Sequence, residues 1–250
     1  MITTVSIIVI LSFILTFFFT LGGLGSAMVL VPIIFYLGFP IKEAKPVGLF
    51  ISGISLIAAT ILNIKNKRIY FRMGIPIIIS TPLFAFLGTL STKFIPDKIV
   101  LIFFTIFLII SALFLAFSKS NNKAEDSYRE KTDIITLIVI GAFVGFVSGL
   151  LGIGGGIIFS IIFIMFGFHP KKVIALTPLI VLFSSFTGFA TYAIMGYINL
   201  DLIIFGGIAS FLGGYLGTKV THLKLNTTII KRIIALFVAI LVVKMIIQIH

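Results

Sequence analysis

Cysteine is absent from this chain of 250 residues, and charged residues are scarce. Without cysteine the chain can form no disulfide, Fe–S cluster or thiolate metal site, which excludes membrane electron carriers built on cysteine pairs. Only 10% of the residues are charged and 60% are hydrophobic, whereas soluble domains carry about a quarter charged residues. This composition excludes a water-soluble domain and indicates an integral membrane protein.

Acidic side chains are especially few, and none lies in the middle of an apolar run. A carboxylate at membrane depth is the usual mark of a proton or sodium relay, so its absence argues against coupling through an acidic residue and leaves room for an anion. Sodium held by backbone carbonyls, or a proton carried by the anion itself, stays open. The carboxylates lie at segment ends or in loops: Glu43, Asp97, Glu125, Asp126, Glu130, Asp133 and Asp201.

Nothing in the sequence indicates catalysis. The histidines His169, His222 and His250 lie in a loop, at a segment end and at the C-terminus, where a solvated role is the default, so we assign no metal ion. An intramembrane protease would need Ser with His, or a pair of Asp residues, at membrane depth, and the sequence places no His or Asp there. The glycine clusters lack the Gly-Lys-Ser/Thr ending of a phosphate-binding loop. We expect neither an enzyme nor a bound cofactor.

The net charge of +12 does not indicate a nucleic-acid partner. Lys and Arg fall in short stretches between apolar runs, which is the distribution that the positive-inside rule produces in membrane proteins. The N-terminal run has no basic start and no small-residue cleavage pattern, so we interpret it as a retained span and not as a signal peptide.

Long uncharged runs such as residues 99–117 and 233–243, without in/out alternation, favour membrane helices over a transmembrane β-barrel. At about 20 residues per crossing, the chain has room for eight to ten helices. Breaks at charges, Pro and Gly clusters define ten apolar segments: 2–21, 24–39, 46–64, 73–92, 98–117, 134–151, 154–168, 173–195, 202–221 and 229–248.

The two halves of the chain repeat each other at an offset of 129 residues. Gly23 matches Gly152, Ser55 matches Ser184, and Leu87-Gly88-Thr89 matches Leu216-Gly217-Thr218. Such Gly, Ser and Thr matches at one constant offset indicate a true repeat. We predict a first membrane repeat at 1–117, a polar cytoplasmic linker at 118–133 and a second membrane repeat at 134–250.

The distribution of Lys and Arg predicts how the repeats are oriented. With five segments per half, fourteen of these residues fall on one side of the membrane and five, Lys42, Lys45, Lys93, Lys98 and Lys244, on the other. With four crossings per half the split is nine to ten, and the bias disappears. The positive-inside rule therefore predicts inverted repeats, with both termini outside the cytoplasm.

Two glycine clusters, residues 21–26 and 151–156, occupy equivalent positions in the repeats. The apolar segments that follow are shorter than the roughly 20 residues of a full crossing, which predicts broken or re-entrant helices that begin inside the membrane. A helix N-terminus offers free N–H groups and about half a positive charge, and glycine lets an anion approach them. Close helix packing through small residues is the alternative, and the pairing of the clusters favours binding.

Neutral hydroxyls in the third and eighth segments form a second layer of candidates. They include Ser52, Ser55, Thr60, Thr177, Ser184, Ser185, Thr187 and Thr191, most of which we expect to bond their own backbone or a neighbouring helix. The equivalence of Ser55 and Ser184, and Pro178 after Thr177, raise those three above the rest. The predicted substrate site is therefore Gly22, Gly23, Gly25, Ser26, Gly152, Gly154, Gly155, Gly156, Ser55, Thr177 and Ser184.

The second half also resembles a known family. Gly149-Leu-Leu-Gly-Ile-Gly-Gly-Gly156, then Gly167-Phe-His-Pro-Lys-Lys, Ala175-Leu-Thr177 and Gly213-Gly-Tyr-Leu-Gly217-Thr are similar to motifs of the sulfite exporter TauE/SafE family. The first half has Gly25-Ser26-Ala27 in place of the glycine triplet and keeps the proline of the family at Pro32. The resemblance implies a small permease for sulfite or other sulfur-containing anions, with about eight membrane helices; two re-entrant glycine hairpins would reconcile that number with ten segments.

Together these observations predict a multi-pass transporter of the plasma or inner membrane that moves a small anion, sulfite or an organosulfonate-type oxyanion, by rocking one repeat against the other. Its expected partners are the anionic substrate and the lipid bilayer, and a homo-oligomer is compatible with the sequence. A membrane scaffold without transport, which would leave Ser55 and Ser184 lipid-facing or tightly packed, and an anion channel are the alternatives.

Overall fold

The computed structural model describes residues 2–69, 71–117, 133–221, 236 and 238–243, and it is all-helical over these residues. The predicted fold class is confirmed. Nine of the ten predicted segments correspond to helices, residues 238–243 of the tenth are helical, and all of the predicted linker except Asp133 lies outside the described residues. The helices are α1 Ile2–Leu21, α2 Ala27–Tyr36, α3 Ile41–Lys65, α4 Phe71–Ser91, α5 Asp97–Phe117, α6 Ile134–Leu151, α7 Gly156–Met165, α8 Pro170–Ile194 and α9 Leu200–Thr221.

Six of the described helices, α3 to α6, α8 and α9, are long and apolar enough to cross a membrane. Helices α2 and α7 have ten residues each and span about 15 Å, half the roughly 30 Å hydrocarbon thickness of a bilayer. Each begins among buried residues and ends near exposed ones, Gly38 after α2 and Met165 at the end of α7. The short broken helices predicted after the glycine clusters are therefore present.

The bounds of the helices follow the offset of 129 residues. Adding 129 to residues 27 and 36 of α2 gives 156 and 165 of α7, and adding it to 41 and 65 of α3 gives 170 and 194 of α8. The packing of the helices follows the same correspondence between the halves. Helix α1 of the first half lies along α9 of the second, and its equivalent α6 lies along α4, the equivalent of α9. Helices α3 and α8 pack against each other at the centre.

Small residues allow the backbones of these exchanged pairs to approach closely. A methyl group at Gly145 or Gly149 of α6 would meet the backbone carbonyl of Thr81 or Ala85 of α4. On the other pair, Gly213 of α9 lies in the same way against α1. This is the close packing through small residues that membrane helices use.

Two contacts at opposite ends of α3 and α8 show that these equivalent helices run antiparallel. The ammonium of Lys42, near the start of α3, lies 6.0 Å from the ring of Tyr197, just after α8. At the other end, Asn63 Nδ2 donates to the carbonyl of Ala175 in the second turn of α8. We call the two ends the Ile41 side and the Lys65 side. The antiparallel course supports the inverted-repeat interpretation, which stays a prediction.

The glycine clusters lie at the tips of two hairpins. Helix α9 begins at the Ile41 side, where Asn199 Nδ2 lies 3.4 Å from Glu43 Oε2, and α1 runs parallel to it, with Ser12 beside Gly206 and Thr20 beside Gly217. Helix α1 thus enters from the Ile41 side and α2 returns to it. Helices α6 and α7 form the equivalent hairpin from the Lys65 side.

Candidate functional site

The tips of both hairpins meet at the middle of α3 and α8. Gly25 packs against Ser52, which is the twelfth residue of α3, and against Val181, which is the twelfth residue of α8. A methyl group at Gly154 would lie 3.0 Å from Val181 and 3.7 Å from Ser52 Oγ. A methyl group at Gly156 would lie 3.6 Å from the backbone nitrogen of Gly25. The two clusters, far apart in sequence, therefore converge.

Helices α2 and α7 point their N-termini at this meeting point. Helix α2 starts beside Ser52 and runs back towards the Ile41 side, where its Val31 packs against Gly48 of α3. Helix α7 starts beside Val181 and runs towards the Lys65 side, where α8 begins. Each N-terminus carries about half a positive charge, so two partial positive charges face each other in the interior.

The backbone amides at these N-termini are buried and have no acceptor within the described part of the chain. Gly25, Ser26, Ala27, Gly154, Gly155 and Gly156 are buried, and their N–H groups donate to no described carbonyl or side chain. An unpaired amide in a membrane interior costs several kcal/mol unless water or a ligand satisfies it. This cluster of donors is therefore suited to an oxygen-rich anion.

Three predicted glycines use their amides differently. The N–H groups of Gly22 and Gly23 donate to Phe19 and Thr20 at distances of 3.1 and 3.0 Å, and that of Gly152 donates to Ser148 at 2.8 Å. These bonds close the ends of α1 and α6, as turn residues after a helix commonly do. The three glycines shape the loops and have no free N–H directed to the meeting point.

The three predicted hydroxyls of α3 and α8 differ in what they contact. Ser184 Oγ donates to the carbonyl of Gly154 at 2.8 Å, so it supports the second loop. Thr177 Oγ1 donates to Val173 O at 2.8 Å and lies 3.3 Å from Ser160 Oγ beside α7. Ser55 Oγ donates to Ser52 O within its own helix, and the Ser55 backbone packs against Gly214. Ser55 is thus tightly packed, as the scaffold alternative expects, while Ser184 holds a glycine loop in place.

Sequence reasoning gave too little weight to two other serines. Ser52 and Ser185 are buried, and their hydroxyls have no hydrogen-bond partner in the described part of the chain, as is also true of Ser26. Ser52 contacts Gly25, and Ser185 Oγ would lie 2.6 Å from a methyl group at Gly154. Neither serine has a serine at the equivalent position of the other repeat, so the repeat does not single them out. Their position in the middle of a predicted helix is the one feature of the sequence that points to them.

Lys45 is the largest departure from the sequence analysis, which grouped it with the loop charges. It lies in the second turn of α3 and is 2% exposed. Its ammonium donates to the carbonyl of Leu150 at 3.1 Å and lies 6.0 Å from the ring of Tyr192. Its carbon chain fills the space beside Gly152. The acidic residues that the structure describes behave as predicted: Glu43, Asp97, Asp133 and Asp201 lie at the starts of helices.

Comparison with known proteins agrees with this architecture. The model of the sulfite exporter TauE/SafE family matches residues 8–245, which is nearly the whole chain. The chain belongs to this family. As a TauE/SafE family member it is a multi-pass membrane protein of a transporter family, which fits the expectation that it is not an enzyme.

Similar proteins are found in two other organisms. A probable membrane transporter protein of Methanocaldococcus jannaschii is 28% identical, covering 92% of this chain and 94% of the relative. The probable membrane transporter proteins YunE and YdhB of Bacillus subtilis are 26% and 22% identical, covering 84% and 81% of this chain and 86% and 83% of their own lengths. No solved structure gives a significant match to the chain.

Proposed function

We propose that this chain transports a small oxyanion, sulfite or an organosulfonate-type anion, by alternating access between two inverted repeats. The observation that carries the proposal is the cluster of buried, unpaired amides at the facing N-termini of α2 and α7. The hydroxyls of Ser26, Ser52 and Ser185 would add neutral hydrogen bonds. An oxyanion offers several acceptor oxygens, which match a set of donors drawn from both halves.

The donor chemistry supports an anion, and the description of the family supports a sulfur oxyanion. No carboxylate of the described residues lies at the meeting point; the four that are described lie at helix starts. A cation would find few oxygen ligands beside these N–H groups, whereas an anion would satisfy them. The names of the relatives specify transport and no substrate.

The alternating-access step is supported by the way the halves meet. The two hairpin tips belong to different repeats and approach the same point from opposite sides of the molecule. Rocking of one repeat against the other would open the meeting point to one side at a time. A channel would share the same donors but would need no alternating states.

The test is anion flux into proteoliposomes, with labelled sulfite, sulfate, a short sulfonate and chloride compared. We expect saturable flux and counterflow of a sulfur oxyanion. In the double variant Ser52→Ala/Ser185→Ala, the half-saturation concentration should rise about tenfold, because two neutral hydrogen bonds are lost. Ser210→Ala is the matched control, since Ser210 is equally buried but donates to Gly207 within its own helix.

Each outcome separates the hypotheses. Flux without saturation or counterflow would indicate a channel, and folded protein without flux of any tested anion would favour the scaffold. An equal effect of Ser210→Ala would remove the proposed site. Gly155→Asp is a less selective probe, because a side chain at Gly155 would meet Val144 and Ser148 of α6 at 3.0 to 3.3 Å and disturb packing.

The orientation of the repeats can be tested because the chain has no cysteine of its own. A single cysteine at Phe94→Cys, on the Ile41 side, should react with a membrane-impermeant maleimide added to intact cells. One at Arg68→Cys, on the Lys65 side, should react only after the membrane is opened. Both positions are exposed and lie outside the helices, Phe94 after α4 and Arg68 after α3. The reverse pattern would contradict the prediction that the termini lie outside the cytoplasm.

A further inference from the structure

Lys45 is a buried cation in a part of the molecule that the proposed site does not include. It precedes Ser52 by seven residues on α3, which corresponds to about 10 Å along the helix. Because α3 begins at the Ile41 side, Lys45 lies between that side and the meeting point of the hairpins. Any anion that reached the meeting point along α3 from the Ile41 side would pass this charge.

The charge of Lys45 is only partly compensated by its surroundings. Its ammonium has three N–H donors, of which one donates to Leu150 O at the C-terminal end of α6. The face of the Tyr192 ring lies 6.0 Å away. No carboxylate of the described residues lies within ion-pair distance of the Lys45 ammonium. Asp97 acts on its charge only from a greater distance and lies 3.8 Å from Lys42. A cation with little compensation in a low-dielectric interior attracts anions strongly.

The equivalent contact in the other repeat has no charge. Position 174 corresponds to Lys45 at the offset of 129, and position 152 corresponds to Gly23. Lys45 packs on Gly152, and Ile174 packs on Gly23. Both contacts lie beside the end of the first helix of a hairpin, α6 in one case and α1 in the other. The two sides of the meeting point are therefore alike in packing and differ in charge at this position.

We infer that Lys45 is a specificity-determining residue that strengthens anion binding from the Ile41 side and so makes the two access routes unequal. This inference rests on the proposed anion transport. Lys45 offsets the negative carbonyl end of α6 and supplies a positive charge about two helical turns from the residues that would hold the anion. On the Lys65 side, the carbonyl end of α1 faces Ile174 and has no such compensation.

The experiment measures labelled sulfite uptake in proteoliposomes of defined orientation, with sulfite added on one side at a time. In Lys45→Gln, which keeps a donor for Leu150 but removes the charge, the half-saturation concentration from the Ile41 side should rise about tenfold. The maximal rate and the half-saturation concentration from the Lys65 side should change much less. Lys45→Arg should restore the original value, because it restores the charge.

Lys42→Met is the matched control, since it removes a lysine from the same turn region of α3 whose side chain is 43% exposed and paired with Asp97. The inference is overturned if Lys42→Met has the same effect, if Lys45→Gln lowers only the maximal rate, or if both sides change equally. If Lys45→Gln does not fold, Lys45→Arg and Lys45→Met give the same comparison of charge. Saturable flux that is insensitive to Lys45 would overturn this inference alone, whereas no sulfite flux in the unmodified protein would overturn the proposed function with it.

Discussion

Lys45 packs on Gly152 in one half of the molecule, and Ile174 packs on Gly23 in the equivalent place in the other half. Both glycines have positive φ, +74° for Gly152 and +68° for Gly23. Both allow the third helix of one repeat to approach the loop of the other. The glycine is common to the two contacts and the charge is not. The positive-φ glycine is therefore common to both halves, whereas the charge is present in one half only and is available for the one-sided anion binding that we propose.

The largest expected effect is the loss of stability when Gly23, which packs against Ile174, is replaced. In Gly23→Ala the new methyl group would lie 3.0 Å from the backbone carbonyl of Ile174, and the left-handed φ adds strain, so we expect a loss of about 2 to 3 kcal/mol in the free energy of unfolding. In Gly152→Ala the close atoms belong to the flexible Lys45 side chain, so the loss should be smaller. Thermal unfolding in detergent measures both.

Gly38→Ala is the control for backbone strain alone, because Gly38 has φ of +94° and open space around it. It should lose about 1 kcal/mol, the cost of the left-handed conformation. A loss in Gly38→Ala as large as that in Gly23→Ala would show that strain, and not the contact with Ile174, decides the outcome.

Exchange of Lys45 and Ile174 should reverse the side from which sulfite is bound more tightly. In the double variant Lys45→Ile/Ile174→Lys, sulfite should bind about tenfold more tightly from the Lys65 side than from the Ile41 side. The reason is that the positive charge then lies beside the carbonyl end of α1. Half-saturation concentrations from each side of oriented proteoliposomes provide the measurement. A preference that stays on the Ile41 side would place the asymmetry elsewhere in the molecule.

Two of the three serines of the proposed site, Ser52 from one half and Ser185 from the other, should have equal and smaller effects. Ser52→Ala and Ser185→Ala each remove one neutral hydroxyl, so each should raise the half-saturation concentration about threefold. The sulfite dependence of flux gives the values, with Ser210→Ala as the unaffected reference. An effect confined to one serine would show that the anion binds to one hairpin and not between the two.

The smallest effect should come from the exposed ion pair on the Ile41 side. Lys42 and Asp97 lie 3.8 Å apart, with side chains 43% and 47% exposed, and such pairs contribute less than about 1 kcal/mol. Asp97→Asn should therefore change the unfolding temperature and the half-saturation concentration very little. A large change in either would mean that this pair, and not Lys45, controls access from that side.

Most of the helical architecture could be predicted because long uncharged runs have few alternatives in a bilayer. Helices α2 and α7 begin at Ala27 and Gly156, at the ends of the glycine clusters 21–26 and 151–156. These starts could be predicted because the offset of 129 residues and the short apolar runs after the clusters both indicate them. The direction in which a side chain points from its helix is harder to predict. Ser55 and Ser184 match at the offset, yet one bonds its own helix and the other a glycine loop, because the rotation of a helix about its axis is set by packing.

Lys45 shows a second limit of sequence reasoning. Its neighbours Lys42 and Glu43 suggest a solvated helix start, and a lysine is seldom buried without a carboxylate. The compensation comes instead from the carbonyl of Leu150, 105 residues away in sequence. Every residue has a backbone carbonyl, so neither composition nor charge pattern shows which carbonyl will accept from a buried lysine. The folded structure is needed to identify this partner.

The exchanged packing of the first helices has a consequence for how the protein is made. Helix α1 packs mainly on α9, which begins at Leu200, and α4 packs mainly on α6, which begins at Ile134. Because synthesis runs from the N-terminus, α1 must therefore remain in the bilayer without its main partner until α9 has been inserted. The first of the described helices to be made is among the last of them to gain its main packing partner.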